Sequence, residues 1–162
     1  MKRTHGFTMV ELMIVMEIIM LLTALAYPQL RRALINAREG NAVGSMKMIV
    51  TAQAGFKEAG FVDLDGNGEG DYGTLPQLSD PDGAGATQGF IDTVLATGVK
   101  SGYIFTIAVT PGTATNPPSY TVTGIPTIPG STAYKMYYAD DTGIIRFTGD
   151  GTPVGPTSPV LD

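Results

Sequence analysis

The feature that most constrains this chain is an apolar run close to its start. Met9 to Leu30 is strongly apolar and is interrupted only by Glu11, Glu17, Thr23 and Pro28. A helix needs about 20 mostly apolar residues, at about 1.5 Å each, to cross about 30 Å of hydrocarbon. Residues 7–30 meet that length. The flanks are sharply different: Met1 to Gly6 reads MKRTHG, polar and basic, and Arg31, Arg32 and Arg38 mark an abrupt return to polar sequence. The run is therefore expected to form a membrane-spanning helix. A cleaved secretory signal is the rival reading, because Ala24-Leu25-Ala26 loosely fits the small-x-small site that should follow an apolar core. The other alternative is processing before the apolar run, which keeps the helix in the mature chain.

The helical pattern continues beyond the run. At 100° per residue, Ala42, Val43, Met46, Ile49, Val50 and Phe56 fall within roughly 140° of one another. Lys47, Thr51 and Glu58 lie opposite, Gln53 interrupts the stripe and Met48 falls outside it. This is an amphipathic face that must pack on something. Gly60 is the expected stop. A continuous helix from Phe7 to Ala59 would be about 80 Å long, with Pro28, which lacks an amide hydrogen, bending or loosening it.

Past Gly60 the composition changes. Residues 61–89 are rich in Gly and Asp and show little periodicity. Residues 87–99 are expected to form a short helix with Phe90, Ile91, Val94 and Leu95 on one face and Gly98 at its end. Four strands are expected at 103–109, 120–123, 133–138 and 143–148. Asp140-Asp-Thr-Gly143 makes the last two a hairpin, and the short connections favour an antiparallel meander. The tail, with Pro153, Pro156 and Pro159, reads as an extended ending. Four zones result: a leader at 1–6, an apolar helix at 7–30, its amphipathic continuation at 31–60, and a head at 61–162.

Composition removes most enzyme classes. There is no Cys, and the single His is His5. Thiol catalysis, disulfides, Cys-ligated zinc, multi-His metal sites and His-based triads are thereby excluded. The net charge is −5, and the cations after Arg38 are scattered, so nucleic acid is not an expected partner. A two-carboxylate enzyme would need its acids about a pocket, whereas Asp63, Asp65, Asp140 and Asp141 lie in turn-like sequence. No enzymatic activity is expected.

The informative string is Gly6-Phe7-Thr8-Met9-Val10-Glu11-Leu12-Met13-Ile14-Val15. It resembles the prepilin signature of type IV pilins and of the pseudopilins of type II secretion, and the likeness runs through Ala26-Tyr27-Pro28-Gln29. The resemblance implies an α+β, pilin-like fold: a long N-terminal helix packed on a small antiparallel sheet. It also implies that a prepilin peptidase cuts between Gly6 and Phe7 and methylates the new amino terminus on Phe7. Lys2 and Arg3 fit the positive-inside rule for that topology. A carboxylate in a membrane span is costly unless paired, so Glu11 is a functional candidate by default. In the family the matching Glu is thought to pair with the methylated amine of a neighbouring subunit. The partners implied are other pilin or pseudopilin subunits in a homo-oligomeric filament, the prepilin peptidase, and an inner-membrane assembly platform driven by a separate ATPase. The location implied is a single-pass bacterial inner-membrane protein with a periplasmic head, which then enters a periplasmic pseudopilus or a surface pilus. Glu17 departs from the family pattern, and it stands about 120° from Glu11 around the helix.

The sequence Asp63-x-Asp65-x-Asn67-Gly68-Glu69-x-Asp71 resembles the first nine positions of an EF-hand calcium loop. Thr74 stands where the closing Glu belongs. Asp63, Asp65, Asn67, Glu69 (through its carbonyl) and Asp71 are the candidate calcium ligands, and some cysteine-free pseudopilins use calcium in place of a disulfide. The competing reading is a solvated, Gly-rich turn. Two functional classes remain: a filament subunit, and a membrane-anchored calcium-binding or interaction module that does not polymerise.

Overall fold

The computed structural model describes residues 7–83, 85, 89–113, 115–149 and 151–161; the leader, with the expected cut after Gly6, lies outside them. One helix, α1, runs from Met9 to Ala59 and passes through Pro28 without interruption. It ends where Gly60 turns to a φ of 67° and its N–H bonds to the Lys57 carbonyl. A β-carbon is disfavoured at that dihedral, so glycine is the natural terminator.

The chain divides into two compact units, residues 1–36 and 37–162. In the first, every side chain from Phe7 to Leu34 is exposed. The helix contains an 18-residue window of mean hydropathy 2.3 with none of it buried. Apolar surface of this extent is not stable in water as a monomer; it calls for lipid or for other chains.

The second unit is an α+β head, with two short helices, α2 (Leu75–Ser79) and α3 (Thr93–Ala96), and five strands. The strands are β1 (Val99–Lys100), β2 (Tyr103–Thr110), β3 (Ser119–Pro126), β4 (Met136–Asp140) and β5 (Arg146–Thr148), joined in order as an antiparallel meander. Ala42, Met46, Ile49, Ala52 and Phe56 supply the helix side of the core, and Tyr103, Phe105, Tyr120, Val122, Tyr137 and Ala139 supply the sheet side. The register pairs large with small residues, as at Phe105 opposite Gly124. A β-carbon on Gly124 would stand 3.1 Å from the Phe105 ring and 3.5 Å from Met46 Sδ, so glycine here makes room for both.

Three polar groups on α1 tie the head together. Gln53 is fully buried; its Oε1 accepts from Gly73 N–H at 2.9 Å and its amide donates to the Gly73 carbonyl at 2.6 Å. What reads in sequence as a flaw in the apolar stripe is a clamp on the chain entering α2. Glu39 is buried as well. One carboxylate oxygen accepts from the backbone N–H groups of Tyr134 and Lys135, and the other lies 3.2 Å from Lys135 Nζ. Arg38 donates to the Thr132 carbonyl. Burial pushes the Tyr137 hydroxyl up to about 12, and the Tyr103 hydroxyl rises for the same reason while donating to the Lys135 carbonyl.

Several expectations need correction. The helix expected over 87–99 is only Thr93–Ala96; Thr87 and Gln88 lie outside the described residues, and Val94 is exposed. It starts late because Asp92 caps it, its Oδ1 accepting from Leu95 N–H at 2.9 Å. The stretch 61–89 is not wholly irregular, since α2 forms where Gln77 Oε1 accepts from both the N–H and the hydroxyl of Thr74. The signal was the Thr-x-x-Gln spacing with Pro76 in the first turn. The strands expected at 133–138 and 143–148 begin three residues later, at Met136 and Arg146. The tail is extended but not free: Val160 pairs with Arg146, and Phe147 N–H bonds to the Pro159 carbonyl.

Replacing Gln53 by Leu leaves both polar groups of Gly73 without partners, at about 2–4 kcal/mol. Urea unfolding of the full chain in detergent should show that loss, whereas exposed Thr51→Leu should not. Asp92 sets an acid dependence. Its bond to Lys100, then its bond to Leu95 N–H, hold its carboxyl below the usual range. A folded-state value below the unfolded one adds stability above about pH 4, which is lost as pH falls through the folded value. The melting temperature should therefore drop below about pH 4, less steeply in Asp92→Asn.

Candidate assembly site and acidic loop

The start of α1 is built around Glu11. Thr8 occupies the N-cap position, and its backbone N–H and its hydroxyl both donate to Glu11 Oε2, at 2.9 and 2.8 Å. Glu11 N–H donates back to Thr8 Oγ1 at 3.2 Å. This is a capping box, in which a Thr and a Glu three residues apart satisfy each other's orphan donors at a helix start. Sequence reasoning named Thr8 in the motif but missed its cap on Glu11, although Thr-x-x-Glu before an apolar run carries the signal. Phe7, the expected new amino terminus, directly precedes the cap and is largely exposed. A carboxylate beside the helix N-terminus also meets the positive end of the helix dipole. Glu17 lies further along the same exposed segment and has no ion-pair partner among the described residues.

The acidic loop is organised by its own amides. Asp63 accepts from Gly66 and Gly68 N–H, Asp65 from Asn67 N–H, and Asn67 Oδ1 from Glu69 N–H. The Gly68 bond leads the causes that hold the Asp63 carboxyl below its usual value. Gly66 and Gly68 have φ of 70° and 85°, which the tight turns require. Asp71 differs from the rest. It is buried, accepting from Leu64 N–H at 2.9 Å and from Gly112 N–H at 2.8 Å, so it pins the loop to the β2–β3 connection. A β-carbon on Gly112 would stand 3.1 Å from Asp71 Oδ1 and 3.2 Å from Asp65 Oδ2, so these two carboxylates approach one glycine. Among the described residues, no three Asp, Glu or His side chains form a group that could hold a metal ion.

Asp71→Ala strands two backbone donors and should cost the head about 2–4 kcal/mol in urea unfolding. Asp63→Ala, at an exposed position, should change it much less.

The comparisons with known proteins bear on the N-terminus. Residues 1–27 match the family described as "Prokaryotic N-terminal methylation motif". That motif is the type IV pilin and pseudopilin signature, and the match is confined to the N-terminal 27 residues. No curated protein and no solved structure matches the chain.

Proposed function

We propose that this chain is a structural subunit of a type IV pilus-like or type II secretion pseudopilus filament. The observation that supports this reading most is the polar cap at the end of an otherwise exposed apolar helix. Thr8 and Glu11 place a carboxylate next to Phe7, where a methylated amine would be created by cleavage after Gly6. In the anchored monomer the cap satisfies the carboxylate. In a filament the same carboxylate pairs with the Phe7 amine of a neighbouring subunit, which sets register and removes an unpaired charge from the apolar bundle. The apolar helix is then covered by other copies instead of lipid. The head stays in the periplasm, and a separate ATPase on the membrane platform supplies the energy.

Glu11→Ala should leave cleavage and methylation intact while reducing incorporation into sheared filaments at least ten-fold. Normal incorporation of that variant would remove Glu11 from the assembly role and favour the non-polymerising anchored module.

Calcium in the 63–71 loop is the second reading, favoured by the approach of Asp65 and Asp71 to Gly112. A calcium ion would have to draw Asp63 and Asn67 from the amide bonds they now accept. If the loop takes calcium, the melting temperature rises with calcium and falls with chelator, because a ligand bound only by the folded state stabilises it. An unchanged midpoint leaves the loop closed by its amides alone.

A further inference from the structure

Two opposite charges lack ion-pair partners among the described residues, and each sits beside apolar side chains. Glu17 is exposed in the apolar helix, with Val10, Met13, Ile14, Leu21 and Ala24 within about 60° of it around the axis. Lys47 is exposed on the solvent face of α1 in the head, and it too has no ion-pair partner among the described residues. Lys47 and Thr51 together separate two apolar grooves. One, of about 480 Å³, is walled by Val50, Ile144, Ile145, Val160 and Leu161. The other, of about 360 Å³, is walled by Met48, Ala52 and Phe90. Ile144, Val160 and Met48 remain substantially exposed there.

The same face of α1 carries Gly40 and Gly44, and a β-carbon at either would meet nothing within 4 Å. Each glycine costs a helix about 1 kcal/mol relative to alanine. The chain's own packing does not require them, and their bare surface leaves room for the close approach of another helix.

We infer that this face of the head is a docking groove for the apolar helix of a second copy, with Glu17 of one copy paired to Lys47 of the other. The inference rests on the filament reading. The occupant follows from complementarity: an apolar helix with one carboxylate meets apolar grooves with one ammonium between them. Thirty helical residues separate the two charges in the chain, so the pair forms between copies. Copies that enter one membrane from the same side keep their helices parallel. Pairing 17 with 47 then staggers them by 30 residues, about 45 Å along the axis. That register sets Leu21 beside Thr51 and places Val10 and Ile14 over Gly40 and Gly44. Glu17, costly in hydrocarbon, finds its counter-ion on leaving the membrane.

The chain has no cysteine, so a pair can be introduced cleanly. Leu21→Cys with Thr51→Cys leaves both charges in place. Filaments assembled in cells from this variant and treated with a short bismaleimide should give a ladder of dimers, trimers and higher species, and neither single variant should pass the dimer. Lys47→Glu should cut sheared filament yield at least five-fold with the head's melting temperature unchanged within about 2 °C, and adding Glu17→Lys should restore most of it. Filaments of the double-cysteine variant without a ladder, or a charge swap without rescue, would overturn the pairing alone. Failure of the unaltered chain to form filaments would overturn the filament reading and this contact with it.

Discussion

The structure depends on an apolar helix that its own chain does not cover. From Phe7 to Leu34 every side chain faces outward. The hydrophobic driving force, about 25 cal/mol per Å² of apolar surface removed from water, therefore acts on whatever surrounds that segment rather than inside the subunit. The head closes its own core in the ordinary way, with a helix face against a meander. The first segment calls for lipid or for other chains.

Polar groups on the helix then decide what can happen to it. Glu11 is satisfied locally by Thr8, so it can reside near a membrane boundary without a partner. Further along the same helix, Glu39 and Gln53 are satisfied by backbone amides of the head and fasten the 132–135 segment and the start of α2. One continuous element thus carries charges of two kinds. Glu39 is consumed by the fold, whereas Glu17 and Lys47 have no ion-pair partner among the described residues.

Much of this was legible from residues. Period 3.6 located the buried stripe from Ala42 to Phe56, and Gly60 marked the end of α1. The hairpin around Asp140 to Gly143 followed from turn chemistry, and it closes with the Gly143 N–H bonded to the Asp140 carbonyl. Other features were hidden because local pattern competes with tertiary partners. Gln53 looks wrong in an apolar stripe until Gly73 stands opposite it. Asp71 looks like one more loop carboxylate until Gly112, 41 residues away, donates to it. Val94 fits a helical face that the head does not bury. In the acidic loop, spacing named the oxygen donors, but it could not say that most of them would be used by neighbouring amides.

The central claim is that the chain is cut ahead of its apolar helix and keeps that helix. Mass spectrometry of the N-terminus after co-expression with a prepilin peptidase tests it most directly. The expected product is a chain that begins at Phe7 and carries one methyl group on its α-amine. A chain that begins after Ala26, with the apolar helix removed, would contradict it.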